Sequence, residues 1–292
     1  MLITAIDGFC MALADSVPGV SGSTVAYLLG FYECFINSLH DLAGGSAQNR
    51  RKGLVYLLRL GTGWVTGMGL SVLFLAKTFE TDIYFLCSLF FGLTAVSIPF
   101  IIVRERAVLA GRYRNLVYAA AGMLIVYAVS VSPLAGYAGV LDFHALAPAR
   151  YPFLFASGIL AVSAMLLPGI SGSTFLLILG VYLPAVTAVR DLIHLDAAVV
   201  PGLLALVSGI AAGAVISVRF IRLAIMKYRS AVTYLILGLV AGSLYAIQNG
   251  PATLAVPHAP LSAANFSVPG FFLGAVVLSG LEAAKSILEK RA

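Results

Sequence analysis

The feature that most constrains this fold is a short polar segment that occurs twice in an apolar chain. PGVSGST occupies residues 18–24, and PGISGST occupies residues 168–174. We call them the first motif and the second motif. In both places an apolar run leads into the motif, and a second apolar run follows it and ends in Gly-x-Tyr. An ordinary membrane span needs no such insert, so the pair predicts an internal repeat with a broken helix in each half.

Composition places the chain in a membrane. Of its 292 residues, 61% are hydrophobic and 10% are charged, whereas soluble domains carry about 25% charged residues. The spans are predicted to be helical, because backbone groups inside a bilayer must be satisfied within the segment. The net charge of +6 does not indicate a nucleic-acid partner, since the basic residues form short clusters between apolar runs, as membrane topology requires.

The apolar runs beside the motifs are too short to span a membrane. Each holds roughly 15 residues and would cover about 23 Å as a helix, against a hydrocarbon core of about 30 Å. They predict two re-entrant helical hairpins with the motifs at their tips, with arms at 1–17, 25–39, 153–167 and 175–189. Three longer runs follow each hairpin, at 54–76, 83–103 and 116–132, and at 200–218, 231–247 and 268–288.

The predicted fold is therefore an all-α polytopic membrane protein with two repeats, residues 1–145 and 146–292. Each repeat has a re-entrant hairpin and three transmembrane helices. The repeat extends beyond the motifs, because Gly63 and Gly67 correspond to Gly209 and Gly213, a spacing that permits close helix contact.

An odd number of crossings per repeat predicts opposite orientations for the two copies. This arrangement puts every strongly basic segment on the cytoplasmic side, including 50–52, 104–114, 219–229 and the C-terminus. We expect a multi-pass protein of the plasma membrane. Ten full crossings would place the loops on the same sides, so charge leaves that alternative open.

Both motifs suit an anion. Their glycines let backbone approach a ligand, and serine or threonine can cap a helix whose free N–H groups attract negative charge. The alternative is that Pro and Gly only form a turn and the hydroxyls satisfy the backbone. The candidate substrate-binding residues are Gly19, Ser21, Gly22, Ser23, Thr24, Gly169, Ser171, Gly172, Ser173 and Thr174.

Two acids flank only the first motif. Asp15 and Glu33 are replaced by Met165 and Leu183 in the second copy. Acids in apolar segments are costly and usually functional, so both are candidates for proton coupling. The alternative is an acid that pairs with Arg59. That arginine could itself neutralise a phosphate or extend to the cytoplasmic surface.

No cofactor or metal is expected. The four histidines, His40, His144, His194 and His258, fall in predicted loops without metal-ligand spacing. The three cysteines lie in apolar stretches without a CxxC pair, which is typical of buried residues and not of a zinc site or a disulfide framework.

Residues 14–24 and 30–33, with 166–174 and 180–182, resemble the polyprenyl-phosphate transporter family of bacterial and archaeal membranes. The resemblance implies movement of undecaprenyl phosphate, the carrier lipid of envelope synthesis, from the outer to the inner leaflet, coupled to H⁺ or Na⁺. Its implied partners are that lipid, the surrounding membrane lipids and the coupling ion, and a homo-oligomer is left open. Ser23 departs from the family pattern, which has glycine there.

Two other classes of function remain open. A transporter or channel for a small anion would use the same polar tips. A membrane enzyme acting on lipid phosphates would need a nucleophile or metal constellation, and the sequence contains no Walker A or GxSxG pattern.

Overall fold

Helices make up the fold of the described part of the chain. The computed structural model describes residues 2–15, 21–131, 141–253 and 258–289, and within these ranges it contains no strand. This confirms the predicted all-helical class. In chain order the helices are α1 (Leu2–Asp15), α2 (Gly22–Leu28), α3 (Tyr32–Gly44), α4 (Ala47–Thr81), α5 (Ile83–Arg104), α6 (Arg106–Leu109), α7 (Leu116–Ser130), α8 (Arg150–Leu166), α9 (Gly172–Ile178), α10 (Tyr182–Ile193), α11 (Val200–Lys227), α12 (Arg229–Asn249) and α13 (Val268–Glu289).

Three helical segments among the described residues are long and apolar enough to cross a membrane, namely Ile83–Arg104, Ala197–Lys227 and Arg229–Ala252. They correspond to three of the six predicted spans. Arg150–Leu166 and Val268–Gly280 are apolar but shorter. The remaining predicted spans fall in α7, which has 15 residues, and in α4, which has 35 residues and a basic beginning.

Helices extend into segments that we predicted to be loops. The polar link 41–52 is divided between α3 and α4, and the basic segment 219–229 is largely helical because α11 continues to Lys227. His40 accordingly lies in α3 and not in a loop. The stretch from Arg219 to Lys227 contains no Gly or Pro and is rich in good helix formers, so charge alone does not end the helix.

The predicted second arm of each hairpin is not one helix. Residues 25–39 divide at Gly30, whose φ is +74°, and the equivalent Gly180 has φ +65°. In both places a backbone bond closes the turn, from Phe31 N–H to the Ala26 carbonyl at 3.0 Å and from Val181 N–H to the Leu176 carbonyl at 2.8 Å. This pattern ends helices at a left-handed glycine. The last three residues of each motif thus begin a seven-residue helix, and a further helix follows it.

Equivalent helices of the two halves pack in equivalent ways. Within each half the helix before the motif packs on the first long helix, α1 on α4 and α8 on α11. Between the halves, α5 packs on α13 and α12 packs on α7. The second long helix of each half therefore packs on the third long helix of the other half.

Glycines permit these four contacts. At each one, a Cβ on a glycine would collide with the backbone of the facing helix. The glycine and the residue it faces are Gly63 and Ala5, Gly209 and Phe155, Gly92 and Phe271, and Gly238 and Ala119. The close helix contact indicated by the Gly-xxx-Gly spacing is present, and it recurs at corresponding positions in both halves.

Basic segments that are distant in sequence meet at one end of the bundle. Arg229, at the start of α12, lies 3.7 Å from the Glu105 carboxylate. The Asn115 amide donates to Ser230 Oγ at 3.0 Å, and Arg222 Nη1 lies 2.8 Å from His40 Nδ1. Residues 104–115 and 222–230 are therefore side by side.

Candidate functional site

The two motifs are in direct contact. Ser23 Oγ donates to the Leu167 carbonyl at 3.0 Å, and the Gly169 N–H donates to Thr24 Oγ1 at 2.7 Å. Beside them, the Tyr32 hydroxyl donates to the Leu166 carbonyl at 2.8 Å. These bonds join positions more than 130 residues apart in the chain. The structure therefore brings most of the predicted binding residues into one site.

A pair of serine hydroxyls lies in each motif. Ser21 Oγ is 2.6 Å from Ser23 Oγ, and Ser171 Oγ is 2.7 Å from Ser173 Oγ. Since Ser23 donates to Leu167, it accepts from Ser21, and both protons of the first pair are used within the protein. Among the described residues the second pair makes no further side-chain hydrogen bond. One hydroxyl proton there is available to a ligand.

Burial also separates the two motifs. Ser21, Ser23 and Thr24 are at most 3% exposed, whereas Ser171 and Ser173 are half-buried. The second pair is therefore the more accessible one. Gly19 lies outside the described residues, as does the side chain of Thr174.

Gly169 holds the second motif close to the core. Its φ is +92°, in the left-handed region, and a Cβ there would collide with the backbone of Leu239 in α12. The Gly169 N–H donates to Thr24 Oγ1. Only glycine combines this conformation with this approach.

Asp15 ends α1 and reaches the start of α2. Its Oδ1 accepts the Gly22 N–H at 2.7 Å, and its Oδ2 accepts the Trp64 indole N–H at 3.0 Å. The carboxylate thus caps the short helix that begins within the first motif. The corresponding residues of the second half are Met165 and Ile210, which can make neither bond. The acid that flanks only one motif therefore acts on that motif's geometry.

Arg104 lies at the opposite end of α2. Its Nη1 donates to the Leu28 carbonyl at 3.0 Å, so opposite charges sit at the two ends of α2, each favourable for the helix dipole. The sequence places Arg104 only in a basic segment on the cytoplasmic side. Its position at the end of an apolar run indicates a second role. The sequence could not identify Leu28 as the partner, because the two residues lie 76 positions apart.

Glu33 lies outside the buried site. It pairs with Arg229 at 3.1 Å, and both side chains are half exposed. The alternative hypothesis that Glu33 pairs with Arg59 is therefore wrong, because its partner is Arg229. Glu33 therefore lacks the low-dielectric surroundings that the coupling hypothesis assumed for it.

Arg59 lies apart from the motifs. It lines a cavity of about 440 Å³ with Gln48, Arg51, Lys52 and neighbouring residues of α4. None of the motif residues that the structure describes lines that cavity. The structure therefore does not bring Arg59 to the contact between the motifs.

A histidine surrounded by three aspartates, between the segment before α8 and the end of α10, gives a testable pKa. His144 Nδ1 lies 3.2 Å from Asp142 Oδ1, and Nε2 lies 3.2 Å from Asp196 Oδ2 and 3.7 Å from Asp191 Oδ2. The hydrogen bond with Asp142, followed by the charges of these carboxylates, raises the pKa of His144 above its ordinary value. The cluster ties the segment before α8 to the end of α10.

We expect histidine C2-proton NMR of the solubilised protein to show this raised pKa, with the resonance assigned by His144→Gln. The pKa of His144 is higher in the folded protein than in the unfolded protein. Its contribution to the free energy of unfolding is therefore fully present below the unfolded pKa and is lost as pH rises through the folded pKa. Asp142→Asn should return the pKa toward that of free histidine. A wild-type pKa at or below the ordinary value would contradict the geometry.

Similarity to known proteins covers most of the chain, including both motifs. A family profile described as undecaprenyl phosphate translocase-like matches residues 11–265. A protein of Vibrio cholerae serotype O1 named polyprenyl-phosphate transporter is 29% identical over 263 residues, which cover 87% of this chain and 79% of that protein. A Staphylococcus aureus protein of the same name is 33% identical over 257 residues, covering 86% and 87%. No solved structure matches.

Proposed function

Because this chain belongs to the undecaprenyl phosphate translocase-like family, we propose that it carries polyprenyl phosphate from the outer to the inner leaflet of the plasma membrane. The carrier lipid would then re-enter envelope synthesis. The observation that supports this proposal most directly is the contact between the two polar motifs inside an apolar bundle. A lipid phosphate is the kind of ligand that needs polar donors at that depth.

The two halves form inverted repeats, each a re-entrant hairpin with three spans. The recurring glycine contacts support a twofold relation between the halves. The reciprocal packing of α5 on α13 and of α12 on α7 supports it as well. The basic residues from 104–115 and 222–230 meet at one end, which we assign to the cytoplasm together with the C-terminus. The motifs then approach each other from opposite sides of the membrane.

The phosphate binds first at the second motif. Its serine pair is half-buried and has a proton to donate, while the first motif's hydroxyls are already committed to the contact with Leu167. Opening of the bonds at Ser23 and Thr24 then frees the first motif to accept the phosphate. Most of the isoprenoid chain remains in lipid throughout.

Asp15 carries the coupling proton. Both of its oxygens accept N–H groups, one from the first motif itself. Hydrogen bonds to a charged acceptor are about twice as strong as neutral ones, so protonation weakens both bonds and loosens the start of α2. Proton uptake thus changes the geometry of the first motif. The basic cavity around Arg59 attracts the phosphate near the cytoplasmic surface.

The double variant Ser21→Ala/Ser171→Ala tests the binding role. A hydrogen bond to a charged group contributes about 1.5–3 kcal/mol, so we expect transport of undecaprenyl phosphate in proteoliposomes to fall at least about tenfold. Ser279→Ala, at an exposed serine of α13, is the matched control and should transport normally.

Transport by the double variant at the wild-type rate would refute the binding role. Wild-type flux of inorganic phosphate without any lipid dependence would instead identify a small-anion transporter. Release of inorganic phosphate from the lipid would identify an enzyme.

A further inference from the structure

An apolar cavity lies beside the helices that flank the first motif. Its volume is about 90 Å³, and its walls come from α1, α2, α5 and α13. Within the described part of the chain, every lining residue is apolar except for the thiol of Cys10. Cavities of this kind hold no water and accept apolar ligands.

The cavity lies between residues adjacent to the first motif and the outer surface of the bundle. Ala14 and Val25, which line it, are the neighbours of Asp15 and Thr24. At the other side it is lined by Val277, whose side chain is 40% exposed on α13 beside the 65% exposed Val276. The cavity thus extends from the neighbours of Asp15 and Thr24 toward an apolar surface.

The second half packs the corresponding positions together. Phe175 stands 150 positions after Val25, and it packs with Leu235, Leu239 and Val126 in one apolar cluster. Leu89 and Leu93, the counterparts of Leu235 and Leu239, line the cavity. The first half therefore has the cavity where Val25 replaces the larger phenylalanine of the second half.

From this we infer that the cavity receives the segment of the isoprenoid chain next to the phosphate while the phosphate occupies the motifs. The inference rests on the proposed function. It is supported by the almost entirely apolar lining, by the lining residues Ala14 and Val25 next to Asp15 and Thr24, and by the apolar chain of the substrate named for the relatives. One branched isoprenoid unit resembles an aliphatic side chain in size and shape, which suits the cavity.

Val25→Phe copies the residue of the second half and fills the cavity. We expect the Kd for undecaprenyl phosphate in nanodiscs to rise about tenfold, the equivalent of roughly two buried CH₂ groups. The Kd for methyl phosphate, which has the same head and no chain, should stay within about twofold. Equal weakening of both ligands, or no weakening of either, would overturn the inference.

Val277→Trp narrows the cavity from its exposed side, so it tests the same point if Val25→Phe does not fold. Its matched control is Val276→Trp, on the neighbouring residue that does not line the cavity. Only Val277→Trp should weaken undecaprenyl phosphate binding.

Polyprenol, the phosphate-free alcohol, separates the two proposals. If the wild type binds polyprenol as tightly as the phosphate ester, the proposed function fails, yet loss of polyprenol binding in Val25→Phe would still support the cavity. If the serine variants lose binding and Val25→Phe does not, the cavity proposal alone fails.

Discussion

Asp15→Asn should slow transport at least about tenfold and abolish its dependence on the proton gradient. Asparagine keeps one acceptor oxygen, but its NH₂ would face either the Gly22 N–H or the Trp64 indole N–H, both of which are donors. A lost bond to a charged acceptor costs about 1.5–3 kcal/mol. The measurement is lipid transport in proteoliposomes with and without an imposed pH gradient.

Trp64→Phe and Glu33→Gln are the informative controls for Asp15. Trp64→Phe removes one donor and leaves the carboxylate, so transport should slow but still respond to the gradient. Glu33→Gln breaks only the half-exposed pair with Arg229 and should keep the response. If Asp15→Asn remains gradient-dependent, Asp15 only positions the first motif. If Glu33→Gln loses the response, the coupling group is Glu33.

Gly169→Ala should break the contact between the two motifs and abolish transport. The left-handed φ of +92° and the collision of a Cβ with the Leu239 backbone each cost on the order of 1–3 kcal/mol. We expect a melting temperature lower by several degrees. Gly69→Ala is the control, because a Cβ at Gly69 meets nothing within 4 Å.

Thermal unfolding and transport should be measured on the same preparations of both glycine variants. Gly69→Ala should match or slightly exceed the wild type in stability, since alanine is the better helix former. An equal melting temperature for Gly169→Ala and Gly69→Ala would mean that the second motif does not hold the conformation described.

The sequence alone determined the helical class, the paired motifs and the repeated glycines. These depend on local composition and on self-similarity, both of which are visible without coordinates. It also identified Asp15 as unusual, because an acid beside an apolar run is costly wherever the run folds. The helix boundaries at 41–52 and 219–229 were wrong, since charge marks membrane depth and not the end of a helix.

Only the tertiary structure decided which groups meet. The partner of Asp15 is Trp64, the partner of Glu33 is Arg229, and Arg104 reaches the Leu28 carbonyl. Such pairings depend on the angle and depth at which helices pack, which a linear pattern does not encode. The same packing engages the serine pair of the first motif, whereas the pair of the second motif has no further side-chain partner among the residues that the structure describes. Two nearly identical motifs thus become unequal because their neighbours differ.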